Sequence, residues 1–140
     1  MNTKQKGDIT ELSCILALKK LGITVSIPYG EDARYDLVAD INGKLYKIQC
    51  KTSLYKDGCL RFSCRSIHYN TKERRGVNYI GEIDFFMTVH NSICYLIPIS
   101  ECTNSSQKYL RIDTPKNNQT NGVSFAKDYE LGTVLNKMPV

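Results

Sequence analysis

Tyr35-Asp36-Leu37-Val38-Ala39-Asp40-Ile41-Asn42-Gly43-Lys44-Leu45-Tyr46-Lys47-Ile48-Gln49-Cys50-Lys51 holds two short apolar runs on either side of Asn42-Gly43. Asn-Gly between alternating hydrophobic runs is the strongest short-range signal for a β-hairpin with a two-residue type I′ loop, because both loop positions need positive φ. With the loop placed there, Ile41 faces Lys44, Asp40 faces Leu45, and counting outward brings Asp36 opposite Gln49. Directly opposed residues have Cβ atoms about 5 Å apart. Side chains alternate with period 2, so Lys51 shares the face of Gln49. Tyr46, Ile48 and Cys50 form the natural core face of the second strand, with Tyr35, Leu37 and Ala39 on that of the first. Gln49 and Lys51 are left to a cleft or to solvent. The spacing alone also fits an ordinary half-solvated hairpin in which Asp36 and Lys51 make a diagonal ion pair of little energetic weight.

Residues 8–21 predict an amphipathic helix, with Ile9, Leu12, Ile15, Leu16 and Leu21 on a broad apolar stripe and Gly22 as the stop. Glu11 lies four residues before Ile15 and seven before Leu18, so it borders that stripe. One reading makes Asp8-x-x-Glu11 a capping pair that satisfies free N–H groups at the helix start. The other makes Glu11 a further acidic ligand, leaning over the hairpin toward a divalent cation. Mg²⁺ takes hard oxygen donors, keeps several waters and binds through one or two carboxylates plus a substrate phosphate. Glu11, Asp36, the Gln49 side-chain oxygen and the Cys50 backbone carbonyl form a suitable set.

Gly7-Asp8-Ile9-Thr10-Glu11, Tyr35-Asp36-Leu37-Val38 and Ile48-Gln49-Cys50-Lys51-Thr52 together resemble the PD-(D/E)XK nuclease superfamily, above all the small homing endonucleases encoded in group I introns. The likeness continues through Gly81-Glu82-Ile83-Asp84-Phe85-Phe86, Tyr95-Leu96-Ile97-Pro98, Leu110-Arg111, Lys116-Asn117-Asn118-Gln119 and Ala126-Lys127-Asp128-Tyr129. It covers residues 54–78 and the last ten poorly. Two departures stand out: Tyr35 occupies the place of the usual proline, and Gln49 that of the usual acid, as in the intron-encoded branch. The resemblance implies an α/β, restriction-endonuclease-like core, a central mixed β-sheet flanked by helices, in one domain over 1–140 whose last few residues fray. It also implies Mg²⁺-dependent cleavage of double-stranded DNA at a long specific site, with Mn²⁺ able to substitute. Asp36 would anchor the ion, and Glu11 and Gln49 would complete or tune its shell. Lys51 would orient or deprotonate the attacking water, or neutralise the transition state; the flanking carboxylates favour its charged form, and hence positioning and electrostatics. A junction resolvase, a restriction-type nuclease of the same core, and an inactive nucleic-acid-binding module with Gln49 as its sign are the alternatives.

At 140 residues the chain can bury one core without splitting. Nineteen basic residues against fourteen acidic ones leave a net charge of +5, which favours a polyanionic partner without requiring one. The longest apolar run, 93–99, is interrupted by Pro98 and is too short for a bilayer. No basic-then-apolar leader opens the chain, so a cytoplasmic location is expected. The six cysteines contain no Cys-x-x-Cys, and Cys59 and Cys64 with His68 are the only loose zinc candidates. Reduced, mostly buried thiols are the default.

The remaining pattern predicts a strand over 23–28, a strand over 60–65 extending the sheet, and apolar strands over 83–89 and 93–99 joined by His90-Asn91-Ser92. A short strand over 109–113 and a closing helix over 124–131 complete it. Arg61, Arg65, His68, Tyr69, Lys72, Arg74 and Arg75 crowd the segment after Asp57, where Glu73 is the single acid. Arginines clamp phosphate or read guanine, while Asn and Gln read adenine, so Arg61, Arg65, Arg74 and Arg75, with Lys116, Asn117 and Gln119, are the candidate DNA contacts. One site per protomer makes double-strand cutting a task for at least a dimer, so a homo-oligomer (dimer or tetramer) is expected.

Overall fold

The computed structural model describes residues 1–69, 74–102 and 106–140, with the backbone alone for 67–69 and 74–77. Helix α1 (Thr3–Lys20) is capped by Asn2: its side chain accepts from the Gln5 N–H, and the Gln5 side chain accepts from the Asn2 N–H. The helix therefore starts five residues before the expected Asp8, and Glu11 lies in its body instead of in a cap. It stops where expected, with Gly22 at φ 76° and the Gly22 and Ile23 N–H groups donating back to Lys19 and Leu18.

The strands follow in order: β1 (Thr24–Ser26), β2 (Leu37–Ile41), β3 (Lys44–Cys50), β4 (Leu54–Lys56), β5 (Cys59–Ser63), β6 (Arg65–Tyr69), β7 (Arg74–Asn78), β8 (Phe85–His90), β9 (Ile93–Pro98) and β10 (Gln107–Arg111). A short helix, α2 (Leu131–Asn136), closes the chain. Asn42 and Gly43 take φ 54° and 83°, and β2 pairs with β3 in the expected register, Ile41 to Lys44 and Leu37 to Ile48. The central sheet runs β1-β2-β3-β8-β9; β3 and β8 are parallel and the other pairs antiparallel. It is the mixed α/β sheet expected.

Residues 60–65 do not extend that sheet. Asp57 and Gly58, at φ 53° and 80°, make a second tight turn that folds β4 onto β5, and these two strands join β10 in a separate three-stranded sheet. The second sheet covers one face of the first through Leu60, Phe62 and Leu110, which pack with Tyr79, Phe86 and Ile97. On the other face α1 packs Cys14 and Leu18 against Leu37, Ala39, Ile48, Phe85, Met87 and Leu96. Strands β8 and β9 feed both cores alternately, which explains their unbroken apolar runs.

Two further expectations are corrected. Ile9, Leu12, Leu16 and Leu21 are 49%, 65%, 55% and 54% exposed, while Cys14 and Leu18 are fully buried. The helix is apolar on two opposite faces, and the sheet takes the narrower one. The closing helix over 124–131 is a 3-10 turn at Ala126–Tyr129 followed by α2, because Glu130 is held extended by its bridge to Tyr95. Beyond α2, Met138 packs on the α1-side core and the Asn42 side chain donates to the Pro139 carbonyl at 2.9 Å, while Val140 is exposed. Among the described residues no helix is long and apolar enough to cross a membrane.

Candidate active site

Pairing of β2 with β3 ends at Leu37 and Ile48, one step short of Asp36 and Gln49. Asp36 continues the junction by other means. Its N–H donates to the Ile48 carbonyl at 2.9 Å, and its Oδ2 accepts from the Cys50 N–H at 2.8 Å. The carboxylate thus stands in for a ladder carbonyl, and its aim is fixed by β3. Burial raises the Asp36 pKa from its ordinary value; the Cys50 N–H and the Lys51 charge pull it back in part.

Glu11 reaches the same place from α1, on the inner side one turn before Cys14. Its pKa is raised first by burial, then by the negative charge of Asp36, then by Asp8. Helix and hairpin therefore bring two acids within electrostatic reach of each other. Among the described residues no hydrogen bond is made to the Glu11 carboxylate or to Asp36 Oδ1.

Lys51 does not make the diagonal ion pair with Asp36. Its Nζ donates to the Arg65 carbonyl and to the Tyr79 hydroxyl, each at 3.3 Å, and lies 4.9 Å from the Tyr79 ring centroid. Its N–H, donating to the Met87 carbonyl at 2.8 Å, carries the parallel β3–β8 pairing one residue further. Gln49 is half-buried opposite Phe86, on the face of the sheet that Lys51 shares.

Sequence reasoning missed the supports of this group. Tyr79 is 3% exposed, packs edge-on to Phe86, and carries the Arg34 guanidinium over its ring at 4.2 Å. Arg34 donates to both Glu82 oxygens at 3.0 and 3.1 Å, to Ser66 Oγ and to the Asn78 carbonyl. The Thr10 and Thr52 hydroxyls meet at 2.9 Å and tie α1 to the chain just beyond Lys51. The only sequence signal was adjacency: Arg34 precedes Tyr35-Asp36, and Thr52 follows Lys51.

The DNA-contact candidates divide. Arg65 sits half-buried at the start of β6, with its carbonyl taken by Lys51. Arg61 is exposed on β5 and, with Lys56, Cys59, Tyr109 and Arg111, lines a cavity of about 360 Å³ on the outer side of the three-stranded sheet. Lys116, Asn117 and Gln119 are exposed in the loop after β10, where Asn117 Oδ1 accepts from the Gln119 N–H at 3.1 Å. Arg74 and Arg75 lie on β7 opposite Tyr69 and His68, and their side chains fall outside the described residues, as do those of His68 and Tyr69 and the whole of Lys72.

Among the described residues no three His, Cys, Asp or Glu side chains cluster as a metal site. The donor set at Asp36 is of another kind: two carboxylates with open oxygens, both raised by burial and Glu11 further by the charge of Asp36, next along the hairpin to Gln49 and Cys50. Hard donors and few charges suit a small divalent cation that keeps waters and shares a substrate's phosphate. Cys59 is half-buried against Arg111 and Cys64 lies in the core, so neither reaches this group.

The family model for PD-(D/E)XK endonucleases matches residues 1–132. Among solved structures, the chain is similar to a bacterial homing endonuclease, I-Ssp6803I, at 28% sequence identity and a TM-score of 0.80, over 98% of this chain and 95% of that one. No curated protein matches it.

Proposed function

This chain belongs to the PD-(D/E)XK endonuclease family, and we propose that it is a site-specific double-stranded DNA endonuclease of the intron-homing kind, working in the cytoplasm with Mg²⁺ or Mn²⁺. The observation that carries the reading is the convergence of Glu11 and Asp36 at the end of the hairpin, with Lys51 held beside them by Arg65 and Tyr79. Asp36 and Glu11 would hold the cation, and the Gln49 and Cys50 oxygens would supply neutral donors. A divalent cation at such a site lowers the pKa of the attacking water and offsets charge on the phosphate. Asp36 contributes a fixed direction, because its second oxygen is committed to the Cys50 N–H. Glu11 closes the site from the helix side and, raised by Asp36, is the acid most sensitive to neutralisation of its partner. Lys51, already oriented by two acceptors, places an ammonium where negative charge builds on the phosphate oxygens and steadies the water. Gln49 keeps an oxygen at the acidic position of the family while removing one negative charge.

Cleavage of supercoiled, linear and cruciform DNA in Mg²⁺, followed by mapping of cut positions on genomic DNA lacking the insertion element, tests this. Cuts in both strands at one long site support homing. Cleavage governed by cruciform structure alone identifies a junction resolvase. Binding without cutting in either metal identifies an inactive module.

A further inference from the structure

Between β1 and β2 the chain crosses the end of the central sheet that carries the candidate active site. The β1–β2 ladder ends with Ser26 opposite Val38, and Asp36 lies only two residues before Val38. The connecting segment therefore leaves the sheet one strand spacing, about 5 Å, from the backbone that leads to the Asp36 carboxylate. Pro28 has no N–H to lengthen the ladder. The far arm is fixed by Arg34, which donates to both Glu82 oxygens, to Ser66 Oγ and to the Asn78 carbonyl. Residues 27–33, Ile-Pro-Tyr-Gly-Glu-Asp-Ala, thus form a loop held at both ends, and all of them but Pro28 are exposed.

Tyr29 is fully exposed and Ile27 is 55% exposed. Gly30, at φ 90°, turns the chain directly after the tyrosine. Among the described residues the Tyr29 ring has no hydrogen bond and no ring contact, so the fold makes no use of it. Glu31 and Asp32 follow, and among the described residues neither is ion-paired. The loop holds no Lys, Arg or His. Two unpaired carboxylates with no cation beside them repel a phosphate backbone, so this is no phosphate clamp. Base edges suit the same groups: in the major groove a carboxylate accepts from the cytosine N4 amino group, and an apolar side chain packs on the thymine methyl.

We propose that loop 27–33 enters the major groove beside the cut and reads bases there, Tyr29 packing on a thymine methyl and Glu31 or Asp32 accepting from a cytosine amino group. The proposal rests on the endonuclease reading, because a phosphate held at Asp36 is what sets a duplex against this end of the sheet. Tyr29 lies three residues past Ser26, a reach of at most about 11 Å, and Asp36 two residues before Val38. With the strand spacing added, and at 3.4 Å per base pair, the loop is confined to roughly six base pairs on that side of the cut. The acids also discriminate by penalty. Facing guanine or thymine they meet acceptors, and the repulsion goes uncompensated.

Selection of bound duplexes from a random pool by the full chain, with Ca²⁺ in place of Mg²⁺, tests the proposal, and cut mapping in Mg²⁺ places the cut within the selected motif. Wild type should select cytosine and thymine at fixed positions within roughly six base pairs of the cut, the reach of the loop. Glu31→Gln with Asp32→Asn should flatten the cytosine preference by roughly fivefold or more, the low end for one specific base contact. The same variant should bind unrelated duplexes more tightly, because the repulsion is gone. Tyr29→Ala should flatten the thymine preference, and wild type should lose the same factor on a duplex carrying deoxyuridine in place of that thymine. All three side chains are exposed, so melting temperatures should not move. Variants that select the wild-type motif, or that lose affinity uniformly across sequences, would overturn the proposal while leaving the nuclease standing. A wild type that selects a motif but cuts in neither Mg²⁺ nor Mn²⁺ would remove the nuclease reading, and the loop's part in recognition would still stand or fall on the variants' motifs. A wild type that binds no DNA would overturn both.

Discussion

Replacing Asp36 by Asn and by Ala separates its two loads. Asn keeps an oxygen for the Cys50 N–H, 2.8 Å away in wild type, and removes the charge. Burial raises the Asp36 pKa, so the folded chain holds a proton that the unfolded chain has already released. The stability this contributes is present below the ordinary carboxylate pKa and is lost as pH rises through the folded value. Without metal, Asp36→Asn should therefore melt at or above wild type at neutral pH, and the difference should close as pH falls toward 4, roughly the ordinary carboxylate pKa. Ala removes the acceptor as well and leaves a part-buried N–H unpaired, at a cost of about 1–3 kcal/mol. In a chain of this size that is roughly 4–12 °C in Tm. Added Mg²⁺ reverses the order: at a hundred times its Kd it stabilises wild type by about 2.7 kcal/mol, and it should leave both variants almost unmoved. Differential scanning fluorimetry across pH, with and without Mg²⁺, reads all of this. An Asn variant that melts below wild type at neutral pH without metal, or that gains as much from Mg²⁺, would refute the reasoning.

Lys51→Ala should reduce the cleavage rate by about 10²–10³, the loss expected for one positioned electrostatic donor, while filter binding to DNA stays within a few fold. Neutralising Arg74 and Arg75 to Gln should lower the slope of log affinity against log salt by about 1.8 in total if both contact phosphate; an unchanged slope removes β7 from the footprint. Asp84→Ala breaks the bond from the Lys47 N–H to Asp84 Oδ2, 2.8 Å long, where β8 first meets β3. Urea unfolding should show a loss of about 1–2 kcal/mol with little change in m. Arg34→Ala removes the forked bonds to Glu82 and the cover over Tyr79, and should lower kcat more than DNA affinity because Lys51 loses its seat.

What the chain discloses about itself follows the range of the forces. The Asn42-Gly43 turn is local chemistry, and the register it dictates holds to the last ladder pair. The Asp57-Gly58 turn carries the same signal, with positive φ at both residues, and it folds β4 and β5 into their own hairpin. Helix α1 was legible as a helix but not in its orientation, because both of its faces are apolar and only the sheet decides which is covered. The insertion of β8 beside β3 is a parallel contact between residues 37 apart, and neither strand carries a mark of it. Arg34, Tyr79 and Thr52 escaped for the same reason: their hydrogen-bond partners lie 28 to 48 residues away. Asp36 and Lys51 were found as a pair, yet the lysine's true partners, a backbone carbonyl and a phenol, leave no pattern in a sequence.

Cleavage of a mapped target by wild type and Asp36→Asn, compared at equal occupancy of the DNA in Mg²⁺ and in chelator, tests the assignment of the hairpin carboxylate most directly. Wild type should cut only with the cation, and the Asn variant should bind and leave the DNA whole. Cutting by the Asn variant at the wild-type rate would contradict the account.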